Sequence, residues 1–334
     1  MQARAVMSLP HSGKSFLVTL LLTCSALIAL SANSVLCRLA LQTDQDSAGI
    51  DAASFTLIRL SAGAAMLMLL LQLRNAKRGL RSRRPPPPPD LNPTITRAAD
   101  NAKPGSWLAA IYLFSYAIAF SYAYNSLDTG TGALILFGAV QLTMIIVTLL
   151  SGTRLNRSEW LGLTLAFSGF IYLVQPNLST PSLLGFILMT LAGIAWGGYT
   201  LKGRGSSDHL AETAFNFVRT LPLAALLLVI SIYQGQISAS GVWLAIASGA
   251  LASGIGYSIW YRVLADLTNT QAAAIQLLVP VIAAAGGVIF VNEPLSWRLL
   301  IAALMILGGI ALTVIGRYTQ TRRNNRRAEA LNDG

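Results

Sequence analysis

Phe55-Thr-Leu-Ile-Arg59 and Phe215-Asn-Phe-Val-Arg219 spell one FxxxR pattern twice, 160 residues apart, each near the start of a long apolar stretch. Each Arg lies about six residues inside a segment otherwise free of charge. An arginine inside a bilayer costs at least ~2.5–3.5 kcal/mol on insertion scales, so its repetition at matching positions is no accident of composition. The pair points to a membrane protein of two related halves, an architecture typical of secondary transporters.

Composition agrees. Of 334 residues, 54% are hydrophobic and 11% charged, against roughly 25% charged in soluble domains. Ten apolar runs stand out, at about 16–41, 53–73, 106–127, 130–151, 160–175, 182–201, 213–233, 240–261, 270–291 and 299–316. Most are long enough to cross a ~30 Å hydrocarbon core as a helix. No alternating ten-residue pattern of the barrel type is present, so the expected fold is an all-α integral membrane protein with ten transmembrane helices.

The net charge of +11 is a topology signal rather than a nucleic-acid footprint. Of 24 Lys and Arg, 20 fall in the N-terminus, in the loops after spans 2, 4, 6 and 8, and in the tail. Basic loops stay cytoplasmic, so both termini are expected inside. The facing loop 43–52 carries Asp44, Asp46 and Asp51 and no Lys or Arg. Five spans per half is an odd number, so the second half runs upside down relative to the first. The expected plan is a cytoplasmic segment 1–15, a five-helix repeat 16–175, a second repeat 176–316 and a basic cytoplasmic tail 317–334. Inverted repeats place a shared cavity near the midplane.

Lys14, the apolar residues 16–30 and the run Ser31-Ala32-Asn33-Ser34 have the layout of a signal peptide. Apolar character continues through Leu41, however, and cleavage would strand nine unpaired spans, so the segment reads as span 1. The loop 74–105, with Arg74, Lys77, Arg78, Arg81, Arg83, Arg84 and five prolines at 85–89, is expected to be a disordered cytoplasmic loop touching anionic lipid. The tail, with Arg322, Arg323, Arg326 and Arg327, reads the same way. Cys24 and Cys37 share span 1 about 20 Å apart, too far for a disulfide, and read as small packing residues.

Several residues in this order carry a family resemblance. They are the paired FxxxR segments, Ala195-Trp196-Gly197-Gly198-Tyr199 in span 6, and Leu278-Val279-Pro280 followed thirteen residues later by Glu293-Pro294-Leu295. Over roughly residues 16–316 the chain resembles the EamA-type members of the drug/metabolite transporter superfamily. That resemblance implies ten helices in two inverted halves and export of a small metabolite. Span 4 departs from it, with Gln141 where the proline should stand and Thr153-Arg154 where a Glu should close it. Span 1 keeps a polar Asn33 but lacks the usual Trp.

Candidate cavity residues are Asn33, Tyr122, Gln141, Trp196, Tyr199, Tyr257, Gln276 and Pro280. Asn33, Gln141 and Gln276 would each either clasp a neighbouring helix or contact substrate. Pro280, at mid-span 9, would free a backbone carbonyl near Gln276 and so make either a kink or a site. Arg38, Arg59 and Arg219 have no evident intramembrane acid partner. They read as structural or gating residues tied to backbone carbonyls, with recognition of a substrate carboxylate as the sharper alternative. Glu293, at the external end of span 9, reads as a loop-fixing residue.

Enzymatic readings find little support. Asp128-Thr129-Gly130 spells the aspartic-protease triplet, yet once only and at a span boundary. The two histidines, His11 and His209, lie outside the spans, and no His/Cys cluster suits zinc. The expected function is a secondary transporter, an exporter of a small metabolite such as an amino acid, working by alternating access. A lipid or polyprenyl-carrier headgroup flippase of the same fold is the alternative. The expected partners are a small-molecule substrate and anionic lipid headgroups, without nucleic acid or cofactor; a monomer and a homodimer fit the sequence equally.

Overall fold

The computed structural model describes residues 13–42, 49–81, 105–150, 157–174, 181–203, 208–234, 236–264 and 275–332, with 152, 206 and 272 as isolated positions. These form α1 (Gly13–Leu41), α2 (Ala52–Arg81), α3 (Trp107–Ala123), α4 (Thr129–Leu150), α5 (Arg157–Val174), α6 (Leu183–Gly203) and α7 (His209–Gln234). The eighth helix, α8, joins Ala239–Ile246, a π-helical stretch Ala247–Ile255 and Gly256–Leu264; α9 (Leu278–Val291) and α10 (Trp297–Asn332) complete the order. Asp44, Asp46, the prolines at 85–89 and most of the expected N-terminal segment lie outside the described residues.

Helix starts are set by short polar caps. Asp51, Ser106, Ser182, Asp208, Ser238 and Ser296 each accept a hydrogen bond from the backbone N–H three residues on, at 2.8–3.1 Å. Each cap satisfies one of the donors that the first turn leaves free.

Among the described residues seven helices are long and apolar enough to cross a membrane: Leu17–Leu41, Ala52–Lys77, Thr129–Val147, Leu183–Gly203, His209–Tyr233, Ala239–Val263 and Trp297–Gly316. Two apolar helices, Trp107–Ala123 and Leu278–Val291, are shorter, and α5 carries Arg157 and Glu159 in its first turn. The outward faces are apolar. Leu21, Ile171, Leu184, Leu226, Ile232, Ile289 and Leu304 are all exposed, as suits contact with lipid and not water. The chain is a multi-pass, all-α membrane protein.

Packing repeats when each helix number is raised by five. Helix α3 packs on α6 as α8 packs on α1; α4 lies against α6 as α9 lies against α1; α2 meets α8 as α7 meets α3. Three pairs join equivalents directly: α2 with α7, α4 with α9, and α5 with α10. In the last pair Gly162 and Gly309 face one another so closely that a Cβ on either would strike the other's carbonyl oxygen. Glycine at the crossing permits backbone-to-backbone contact, the small-residue packing that membrane helices use in place of a hydrophobic drive.

Several expected boundaries move. Helix α2 continues through Arg81 and α10 through Asn332, so the start of the 74–105 loop and nearly all of the 317–334 tail are helical and not disordered. Arg, Lys, Gln and Ala are good helix formers, and an apolar helix already nucleated extends through them at little cost. The expected span 9 from 270 is broken by a turn at Leu277, and α9 begins only at Leu278. Pro280 therefore stands in the first turn, where its missing N–H would have had no intrahelical partner anyway. It starts a helix and does not kink one.

A candidate transport cavity between the helices

Tyr116, Phe120 and Tyr124 recur every fourth residue on α3 and form one ridge, with neighbouring ring centroids 5.4 and 4.8 Å apart. Trp196 of α6 joins that ridge at Tyr116, 4.8 Å between centroids, and also meets Tyr257 of α8 at 5.2 Å and Tyr199 at 5.4 Å. These rings come from both halves of the sequence, α3 from the first and α6 and α8 from the second. Where they meet, with Asn33, Ser34, Leu136 and Phe137, they enclose a cavity of about 10 Å³, room for roughly one water.

Asn33 is held from α8. Its side-chain oxygen accepts hydrogen bonds from Ser248 at 2.8 Å and Ser253 at 3.2 Å, both within the π-helical stretch. The i→i+5 winding of a π-helix brings residues five apart onto neighbouring positions, so two serines converge on one acceptor. Ser31, two residues earlier on α1, lies 2.8 Å from the Leu27 carbonyl and 3.1 Å from that of Val279 at the start of α9.

Arg59 sits directly behind the wall. Its side chain is 2% exposed. One terminal nitrogen donates to the Tyr116 hydroxyl at 2.9 Å, and the guanidinium carbon lies 5.2 Å from the Tyr116 centroid and 4.9 Å from that of Phe120. Its other terminal nitrogen, Nη1, is buried without a hydrogen-bond partner. Arg219, its counterpart in the repeat, is only half-buried, lying 6.0 Å from the Phe215 ring.

Ion pairs close the bundle at both ends. At one end Asn292, in the left-handed conformation (φ 56), terminates α9; its N–H and that of Glu293 both point to the Gly287 carbonyl. This turn delivers Glu293 to Arg38 at 3.1 Å and to the Thr129 N–H at 2.8 Å, where the positive end of α4 favours a carboxylate. Arg38 also donates to the Tyr124 carbonyl at 2.9 Å and lies 3.9 Å from Asp128. Arg38 thus has acidic partners, contrary to the expectation that none was evident. Sequence spacing hid the pair because 255 residues separate its members. At the other end Arg74 grips Asp208 through two hydrogen bonds of 2.7 and 2.6 Å, joining α2 to the start of α7. His209 stacks beside it on Tyr261, centroids 4.8 Å apart.

Of the eight cavity candidates, Asn33, Trp196 and Tyr257 line the central space. Tyr199 is buried behind Trp196. Gln141 is buried with its amide nitrogen unpartnered. Tyr122 and Gln276 are half-buried and Pro280 is buried, and none of these three touches the cavity. Tyr116, Ser34 and Phe137 do line it, although sequence reasoning passed over them; a tyrosine four residues from Phe120 on a uniformly apolar helix gives no sign of which face turns inward. A larger recess of about 650 Å³ between α4, α5 and α6 is lined by Phe167, Phe170, Ile171 and Phe186, with only Thr143 and Thr190 polar. It opens among exposed apolar residues on the lipid-facing side.

Comparison with known proteins agrees with this architecture. The EamA-like transporter family matches residues 183–315. An uncharacterized protein of Pseudomonas aeruginosa is 48% identical over 91% of this chain and 97% of its own length. A protein named as a probable amino-acid metabolite efflux pump in Salmonella typhimurium is 23% identical over 62% of this chain and 75% of its own, and one of the same name in Escherichia coli is 23% identical over 60% and 72%. A chain of known crystal structure superposes with a TM-score of 0.54 at 18% identity, covering 89% of this chain and 97% of that one, a likeness of fold alone. The chain belongs to the EamA-like transporter family of the drug/metabolite transporter superfamily, a family of multi-pass membrane transporters.

Proposed function

We propose that the protein exports a small amino-acid-like metabolite through the central cavity by alternating access, from two inverted five-helix repeats, 16–175 and 176–316, in the cytoplasmic membrane. The observation that carries this reading is a small cavity, walled by both repeats, between two ion-pair latches. A central space too small for solute and shut at both ends is the closed, empty arrangement from which alternating access would open one side at a time. The efflux-pump names of the relatives support both the direction and the solute class. The lateral recess between α4, α5 and α6 favours the flippase reading, but it has no charged group to hold a headgroup.

The same reading includes ten spans with both termini in the cytoplasm, which makes the Arg38–Glu293 latch external and the Arg74–Asp208 latch cytoplasmic. Reporter fusions after residues 128, 178 and 236 should report the outer side, and fusions after 90, 206 and 334 the cytoplasm. Consistent reversal at the last three would overturn the topology. Anionic lipid at the basic loop and tail belongs to this arrangement through the positive-inside bias.

Trp196 tests the cavity itself. Trp196→Ala removes the ring against which Tyr116, Tyr199 and Tyr257 all pack. Metabolite profiles of cells with and without the protein should differ in a small set of solutes. The variant should lose that difference by ~10-fold or more at matched membrane abundance, the loss expected when a cavity-defining aromatic is removed. Wild-type profiles from the variant would place the path elsewhere.

A further inference from the structure

Among the described residues no carboxylate pairs with Arg59; the ion pairs there involve Arg38 and Arg74. The Arg59 Nη1 is buried without any hydrogen-bond partner. Burying a guanidinium unpaired is among the more costly arrangements a fold can keep. Helix ends do not demand it. Arg219, at the equivalent place in the second half, stays half-buried at the rim of the bundle. What sets Arg59 apart is its seat behind Tyr116 and Phe120, two residues that wall the central cavity.

The cavity wall has matching chemistry. It holds no Asp or Glu; its polar groups are those of Asn33, Ser34, Tyr116, Trp196 and Tyr257. The Tyr116 hydroxyl accepts from Arg59 and its own proton has no acceptor among the described residues. The O–H of Tyr116 in the wall and the free N–H edge of Arg59 just behind it suit, once the rings part, the two oxygens of a planar monoanion. A phosphate dianion would call for more donors, and a lone cation would face an uncompensated positive charge.

We propose that Arg59 is the anion-recognition residue of the transport cavity and that the transported solute carries a carboxylate, its body lying against Trp196 and Tyr257. This rests on the central cavity being the transport site. In the closed bundle the rings of Tyr116 and Phe120 cover the guanidinium. Parting of a latch separates the rings, uncovers Nη1 and lets the carboxylate replace the missing partner.

The test uses the full chain reconstituted into liposomes loaded with an equimolar mixture of amino acids, their C-terminal amides, polyamines and sugar phosphates, with release followed by mass spectrometry. The wild type should release one or more amino acids at least ~10-fold faster than the matching amides, because the amide presents no charge to the guanidinium. Arg59→Gln should narrow that ratio to less than ~3-fold, and Arg59→Lys, which keeps the charge but not the planar fork, should fall between. A change in acid-to-amide ratio is not something a purely structural arginine would produce. If Arg59→Gln does not fold, the wild-type ratio alone decides. Release of an amide as fast as its parent acid, or release confined to polyamines or sugar phosphates, overturns the carboxylate assignment and leaves the transporter reading standing. No release above protein-free liposomes would sink both.

Discussion

Gly249→Val is expected to remove nearly all folded protein, although the change adds only three carbons to a transmembrane helix. Helix α8 crosses α2 at this point backbone to backbone. A Cβ at residue 249 would run into the carbonyl group of Arg59 and lie 3.0 Å from the Ala62 Cβ. Backbone atoms cannot rotate out of the way as a side chain can, so the helices must separate. Separation pulls Ser248 and Ser253 off Asn33 and loosens the packing around Arg59. Overpacking costs about 1–3 kcal/mol where side chains can move aside and more where they cannot; a backbone-to-backbone clash, relieved only by parting the helices, lies beyond that range. Against a total stability of about 5–15 kcal/mol, with no side-chain rearrangement to relieve it, the loss is severe. Gly308→Val is the control, since a Cβ there meets nothing within 4 Å. Size-exclusion chromatography of the detergent extract should show at least a ~10-fold drop in monodisperse Gly249→Val protein and less than ~2-fold for Gly308→Val. Equal peaks would mean that the close approach of α8 to α2 does not constrain the fold.

That crossing also marks where the sequence stops being informative. The ten helices and the pseudo-symmetric packing between halves were legible, because bilayer thickness imposes run length on apolar segments. Their ends were less so. The polar residues beyond Leu73 and Ile315 signal departure from the hydrocarbon core, not the end of the helix, and α2 and α10 both continue past them. The π-helical winding of α8 leaves no trace in Ala247–Ile255 beyond a run of small residues, which serve equally in a regular helix.

The site was legible in part for a related reason. Trp196, Tyr257 and Asn33 stood out as polar or amphipathic groups deep in apolar runs, and all three line the cavity. Tyr116 has the same chemistry but lies among other aromatics on a helix with no polar face, so rotation about the helix axis decided its role. Arg59 and Arg219 look equivalent in the sequence. Packing separates them, since Phe55 is fully buried next to Arg59 whereas Phe215 beside Arg219 is only half-buried. Pairings across hundreds of residues, Arg38 with Glu293 and Arg74 with Asp208, are set by topology and are invisible to local pattern.

Those two pairs carry the last expected result: breaking either should open the cavity from one side only. Ser34 lines the central space and is 1% exposed, so Ser34→Cys, in a chain with Cys24→Ser and Cys37→Ala, reports access to it. With both latches intact a membrane-impermeant maleimide should react slowly from either face. Glu293→Ala removes the partner of Arg38 and the carboxylate at the Thr129 N–H. The Arg38 and Glu293 side chains are 19% and 9% exposed, so the pair is partly screened, and its loss is worth about 1–3 kcal/mol and not the full cost of a buried ion. Each 1.4 kcal/mol is tenfold in a two-state population, so labelling from the Glu293 face should rise at least ~10-fold while the opposite face stays slow. Asp208→Asn, which weakens the two bonds to Arg74, should give the reverse pattern. The Arg74 and Asp208 side chains are 27% and 35% exposed, so the gain there should be smaller, nearer ~3-fold. Faster labelling from both faces in either variant would indicate general loosening of the bundle, and unchanged labelling in both would show that the ion pairs decorate the ends without holding them shut.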